Sequence, residues 1–347
     1  MITAAPVKTQ RGQVIIKQGI TLTPTLISRV DFYGVKSVLI QEDMLKVSAP
    51  QESAADASYS KKVKNSEEFR SYQKNFKSHT SSLKESFDTI ISESGTIHKD
   101  ELLKQVETLI QTQHTTLEFF DILHNMRQDN DSIYAHSLNV ALISRMIGIW
   151  LKLPAEDLDT LTLCGLLHDI GKTKISPDIL EKKGKLTDEE FAVIRQHPQL
   201  GYDILKSQQL NSHIKKAALM HHERCDGSGY PMGLTLDEID DFALIVAIAD
   251  VYDAMTAARS YREPLCPFEA IEIFEKDGLQ KYKPKYILTF LEHIASSYQN
   301  NRVLLSDGRE AKIVLVNSKH LSKPLVQLDN GECIDLYHAH LSIKSII

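Results

Sequence analysis

Cysteine is scarce in this chain: Cys164, Cys225, Cys266 and Cys333 are the only four in 347 residues, and no two form a C-x-x-C pair. That excludes a disulfide framework and a zinc ribbon, and it implies reduced thiols in a cytoplasmic protein. Long apolar runs are missing too. No stretch approaches the roughly twenty residues of a membrane span, and residues 1–6 show neither the charged nor the apolar region of a secretion signal. No membrane partner is expected. Positive charge is not in excess, with 40 Lys and Arg against 46 Asp and Glu and a net charge of -6, so a nucleic-acid-binding surface spread over the protein is not expected either. What remains is a chain of ordinary globular composition, 42% hydrophobic and 25% charged, long enough for two or three domains.

The hydrophobic pattern changes along the chain. Residues 1–42 read as a small α/β cap, with apolar strand-like stretches at 13–16 and 37–40 and a short helix at 26–30. Residues 43–65 lose all periodicity and read as a linker. From 66 to 128 the pattern is helical, and Leu102, Leu103, Val106, Leu109 and Ile110 form an apolar stripe that suits pairing of two protomers in a homodimer. The following segment, to 297, is helix and loop, with helix starts at Ser176-Pro177 and at the capping pattern Thr187-Asp188-Glu189-Glu190. Over 300–347 short apolar runs alternate with the turn signals Asp307-Gly308 and Asn330-Gly331, which predicts a small antiparallel β module. The fold class is therefore mainly α, a helical bundle between two small modules.

Within the bundle, ligand-type residues recur at helix ends. His136 lies in an apolar-periodic run, His168-Asp169 ends Leu-Thr-Leu-Cys-Gly-Leu-Leu, and His197 follows Phe-Ala-Val-Ile. His221-His222 ends Ala-Ala-Leu-Met, and Asp250 closes Ile-Val-Ala-Ile-Ala. Apolar faces pack inward, so these seven side chains can converge, enough for two metals. Imidazole and carboxylate without thiolate suits iron, manganese or zinc rather than magnesium or calcium. Asp169 is the natural bridging carboxylate of such a two-metal site. Adjacent His221 and His222 would point about 100° apart on a regular helix, so both reach one ion only where the helix ends. A single histidine is more often a satisfied core or surface residue, and His338 and His340 are best read as alternation on a strand edge.

The ordered set His136-Ser137-Leu138-Asn139-Val140, His168-Asp169-Ile170-Gly171-Lys172, His197-Pro198, the run from His221 to Pro231, and Asp250 to Thr256 followed by Arg259-Ser260-Tyr261-Arg262 resembles the HD-GYP family over residues 120–297. The resemblance implies an HD-type helical bundle and a phosphodiesterase that hydrolyses cyclic di-GMP to pGpG and GMP. It also implies one metal on His136, His168, Asp169 and Asp250, and a second on Asp169, His197, His221 and His222. Iron or manganese is the expected pair of ions. Relatives that hold a third metal carry a carboxylate four residues before the first histidine; here that position is Ser132, so two metals are expected.

Lys172 is expected to stabilise charge developing on the phosphate, as a compact ammonium three residues past Asp169. Asp253, one helical turn after Asp250, suits a role holding either Lys172 or a ligand histidine. Arg259 and Arg262 share a helix face and are expected to bind substrate, with Tyr230 at the pocket border. In the family the Gly229-Tyr230-Pro231 loop is implicated in contacts with diguanylate cyclase domains. Two rival functions remain at this stage: hydrolysis of another cyclic dinucleotide such as cyclic GMP-AMP, and a signalling adaptor that binds cyclic di-GMP without turnover.

Overall fold

Apolar alternation near the N-terminus becomes short antiparallel strand pairs. In the computed structural model, which describes residues 2–3, 7–8, 14–18, 40–41, 66–92, 95–111, 119–120, 123, 132–182, 184–257 and 264–347, the chain divides into units Met1–Asp56 and Ala57–Ile347. In the first unit β1 (Ile2–Thr3) pairs with β4 (Ile40–Gln41), and β2 (Val7–Lys8) pairs with β3 (Val14–Ile16). The helix expected at 26–30 and the linker at 43–65 lie outside the described residues.

The second unit begins with α1 (Glu67–Ser92) and α2 (Lys99–Gln111). The α2 stripe is used within the chain: Leu102, Val106 and Leu109 are buried, and α2 packs against α1 and the first two helices of the bundle. The periodicity marked a buried face correctly: Leu102, Val106 and Leu109 belong to an intrachain core, with Leu103 and Ile110 partly buried against it.

The bundle follows as α3 (Ile133–Trp150), α4 (Ala155–Leu167), a 3-10 turn (Ile170–Lys174), α5 (Pro177–Leu180), α6 (Asp188–Ile194), α7 (His197–Leu205), α8 (Ser212–Met220), α9 (Asp241–Thr256), α10 (Pro267–Lys281) and α11 (Pro284–Ser297). The expected starts hold: Pro177 opens α5, and Thr187 and Glu190 cap α6 reciprocally. Helix α9 is apolar nearly all round and buried from Phe242 to Asp250, so it runs through the centre against α3, α4 and α8. Each of its fully buried aliphatic side chains, Ile245, Val246 and Ile248 among them, contributes about 1.5–3 kcal/mol of burial. Its backbone turns extended at Ala257. The helix that carries Asp250 ends at Thr256, and Arg259 and Arg262, expected to share a helix face, lie outside the described residues.

The C-terminal module is a five-stranded antiparallel sheet in the order β8 (Cys333–Asp335), β7 (His320–Leu328), β6 (Glu310–Asn317), β5 (Arg302–Leu305), β9 (Ile343–Ile346). Both predicted turns carry a glycine at φ 86°, Gly308 and Gly331, a conformation that costs other residues. The sheet docks on α10, where Glu275 accepts hydrogen bonds from the N–H groups of Leu321 at 2.6 Å and Ser322 at 3.3 Å. His338 and His340 lie in a turn between β8 and β9, not on a strand edge; spacing of two in sequence does not separate a strand from a turn.

Candidate metal centre

Three close approaches of backbone and one helix end bring the ligand-bearing segments together. Gly165 of α4 lies against α3, where an added Cβ would fall 2.7 Å from the Ala141 Cα. Helix α4 ends at His168, and the 3-10 turn that follows presses Gly171 against the start of α7; a Cβ there would lie 2.0 Å from the His197 carbonyl oxygen. Helix α8 ends at Met220, so His221 and His222 turn the same way, with ring centroids 4.2 Å apart. After them Gly229 crosses the backbone of His222 and Glu223, within 2.6 Å of which no Cβ fits.

The seven predicted residues converge. On one side His136, His168 and Asp250 gather, and on the other Asp169, His197, His221 and His222, each group with its ligand atoms within 4.8 Å of one another. Asp169 faces both groups. Its Oδ2 lies 3.5 Å from His136 Nε2 and 3.4 Å from His168 Nε2, while its Oδ1 lies 3.2 Å from His197 Nε2 and 3.7 Å from His221 Nε2. Asp250 Oδ1 stands 3.0 Å from His136 Nε2, and its Oδ2 is 3.9 Å from His222 Nδ1.

Each ring is fixed from behind. Nδ1 of His168 donates to the Gly165 carbonyl at 2.7 Å, that of His197 to Ile194 at 2.7 Å and that of His221 to Ala217 at 3.0 Å. His136 Nδ1 donates to Asp253 Oδ2 at 2.7 Å. These acceptors select the tautomer in which Nε2 carries the lone pair, the arrangement that ligand histidines need. Asp253 thus contacts a ligand histidine, one of the two roles its helix position allowed. Lys172 instead places its ammonium 2.5 Å from Asp169 Oδ2 at the partly exposed mouth of the cluster.

His222 is held differently. Its ring stacks on Tyr230 at 4.6 Å and 20°, and the Tyr230 N–H donates to the His222 carbonyl at 3.2 Å. Glu223, buried, accepts from the N–H groups of Met232 at 2.7 Å and Leu234 at 2.9 Å and so pins the Gly-Tyr-Pro loop. Sequence reasoning missed both Glu223 and Arg195, whose guanidinium covers the outer face of Tyr230 at 4.5 Å from the ring centroid. A carboxylate beside a histidine pair was a signal for the first; nothing local marks the second.

The cluster fits divalent metals on three observations. His168 Nε2 and Asp169 Oδ1 are buried without a hydrogen-bond partner. The Nε2 atoms of His197 and His221 face each other at 3.2 Å, where two lone pairs require a proton or cation between them. Three buried carboxylates, Asp169, Asp250 and Asp253, also need positive charge beyond Lys172. Burial works against charge on Asp169, His136 and His221, and their surroundings resolve it unequally. For Asp169, Lys172 and His168 outweigh burial and hold the carboxyl well below its usual range. Burial also opposes a proton on His136, yet hydrogen bonds donated to Asp250 and Asp253 lift it to about 9. At His221 burial dominates and lowers the ring to about 4. Ser132 caps α3, its Oγ accepting from the Ala135 N–H at 3.1 Å.

Known proteins carry related sequences. A family model for the HD domain matches residues 121–286. A cyclic di-GMP phosphodiesterase of Pseudomonas aeruginosa is 32% identical over 235 residues, 67% of this chain and 56% of the relative. A cyclic di-GMP phosphodiesterase of Thermotoga maritima is 37% identical over 181 residues, 50% of this chain and 48% of the relative. A 3'3'-cGAMP-specific phosphodiesterase of Vibrio cholerae is 32% identical over 193 residues, 55% of this chain and 37% of the relative. The chain thus spans about half the length of these relatives or less. With histidine pair, His-Asp dipeptide and Gly-Tyr-Pro loop all at one cluster, the chain belongs to the HD-domain family and is of its HD-GYP type.

Proposed function

We propose that this chain is a metal-dependent phosphodiesterase that opens a 3'-5' linkage of cyclic di-GMP, giving linear pGpG and then GMP. The observation that carries the reading is Asp169, whose two oxygens face two separate groups of imidazole ligands. His136, His168, Asp169 and Asp250 would hold one ion, and Asp169, His197, His221 and His222 the other, with iron or manganese suited to this nitrogen and oxygen set. Two such ions supply an acidified water and a Lewis-acid clamp on the phosphate oxygens.

The protein's own groups do the rest. The cluster is walled by α3, α4 and α9, which exclude bulk water from one side and strengthen each charge interaction there. Among the described residues Lys172 is the lysine or arginine paired with Asp169, placed to neutralise charge on phosphate oxygens during reaction. Asp253 keeps His136 in register, and Tyr230 does so for His222. The four free cysteines support a cytoplasmic setting, and among the described residues no helix is long and apolar enough to cross a membrane.

The cGAMP-specific relative supports a second substrate reading. Anaerobically purified protein should be assayed with cyclic di-GMP, cyclic GMP-AMP and cyclic di-AMP in parallel, with products separated by chromatography. Highest kcat/KM on cyclic di-GMP supports the proposal. Preference for cyclic GMP-AMP transfers it to that substrate, and binding of cyclic di-GMP without turnover by metal-loaded protein makes the chain an adaptor.

A further inference from the structure

Helix α6 contributes a face to the rim of the cluster that no ligand residue requires. Arg195, which follows its last residue, is exposed with its guanidinium carbon over the Tyr230 ring, and Tyr230 in turn stacks on His222. A guanidinium, a phenol and an imidazole therefore stack from the surface to the ligand cluster, spaced by 4.5 and 4.6 Å. Among the described residues no carboxylate lies within ion-pair reach of Arg195. Its charge is left uncompensated by them. A cation–π contact at an exposed position adds little stability by itself. A planar guanidinium fork matches two phosphate oxygens at once.

Phe191 stands one turn earlier on α6, where residues four apart share a face, and it is 49% exposed. Across the stack the Gly-Tyr-Pro loop presents Met232, also 49% exposed. Large apolar side chains at this exposure near an exposed guanidinium suit the flat face of a purine.

We infer that Arg195 binds the second, uncleaved phosphate of the cyclic dinucleotide and that Phe191 stacks on a base of that distal half. The inference rests on the proposed phosphodiesterase reading. Arg195 is a specificity-determining residue on this account: it touches the substrate away from the scissile bond, so its contribution lies chiefly in KM.

The test compares Arg195→Gln, Arg195→Lys and Phe191→Ala with the wild type on cyclic di-GMP and on bis(p-nitrophenyl) phosphate, which has one phosphate and no distal half. Metal content is measured on every sample. Loss of one charge-assisted contact should raise KM for cyclic di-GMP about tenfold in Arg195→Gln. Arg195→Lys should lie between, because it keeps the charge and loses the fork. Phe191→Ala should raise the same KM severalfold. Each change on the simple diester should be at least five times smaller. Equal losses on both substrates, or a fall in kcat with metal loss, would overturn the inference and make Arg195 a support for Tyr230 and His222. Unchanged kinetics in Arg195→Gln would also overturn it, leaving an ordinary surface arginine. If metal-loaded wild type hydrolyses the simple diester but no cyclic dinucleotide, the cyclic-dinucleotide reading of the site itself fails and this inference with it.

Discussion

Gly171→Ala adds one carbon, and the structure gives it no room. An ideal Cβ at Gly171 would lie 2.0 Å from the His197 oxygen, 2.5 Å from the Gly201 nitrogen and 3.0 Å from the Gly201 Cα, all backbone atoms of α7. Ordinary contact begins at 3.4 Å, so α7 and the 3-10 turn must separate by roughly 1.4 Å along that line. Overpacking of this kind costs about 1–3 kcal/mol, on the order of 5 °C in Tm for a unit of this size. The functional cost is larger. His197 Nε2 stands 3.2 Å from Asp169 Oδ1 across the same contact, and metal sites tolerate about 0.2 Å in ligand distance. The His197, His221 and His222 side should lose its metal, with affinity down at least about a hundredfold, while the His136, His168 and Asp250 side keeps its own. The control is Gly201→Ala on the opposite side of the same contact. Its Cβ meets nothing closer than 3.3 Å, so stability and metal content should stay near wild type. Elemental analysis and thermal unfolding of the two variants decide the matter. If Gly171→Ala keeps both metals and its Tm, the close approach does not set the ligand geometry.

Asp253→Asn should weaken metal binding about 10–100-fold, because the 2.7 Å bond that orients His136 loses its charge; equilibrium dialysis would show it, and unaltered affinity would reduce Asp253 to a packing role. Lys172→Ala should keep both metals yet lower kcat about 10²–10³-fold, and a variant with normal turnover would remove Lys172 from the chemistry. His136 supplies a pH dependence with a definite sign. Its proton is held up to about 9 in the metal-free protein, so it stabilises that form fully below the ordinary histidine pKa and progressively less as pH rises through 9. A ligand histidine must give the proton up, so metal affinity should rise with pH between 7 and 9, and uptake at pH 7.5 should release at least about one proton into weak buffer. A flat affinity over that range would contradict the electrostatics at His136.

The ligand set was readable because each member sits where a helix pattern ends or turns inward. His168-Asp169 closes α4, His221-His222 closes α8, and both dipeptides face inward for that reason. Direction along a helix is local information; the identity of what lies across the gap is not. Asp253 could therefore be assigned a face but not a partner, and the structure pairs it with His136 over 117 residues of sequence. The same limit applies to the stripe on α2, which announces burial without saying against what. Arg195 and Glu223 were missed because their roles depend on a loop folding back, Glu223 to Met232 and Leu234 and Arg195 to Tyr230. In the C-terminal module the two hairpins with Asp-Gly and Asn-Gly turns were legible, while β9 was not, since Ile343-Lys344-Ser345-Ile346 is short and follows no turn signal.

The central claim is that Asp169 joins two metal sites in one hydrolytic centre, and metal stoichiometry with turnover on the same anaerobic samples tests it most directly. Wild type should hold two iron or manganese ions per chain and hydrolyse cyclic di-GMP. Asp169→Ala should lose both ions and all turnover, because a bridging carboxylate serves both sites, whereas His136→Ala should chiefly empty one. A single ion in fully loaded wild type, or equal metal loss in the two variants, would contradict the account.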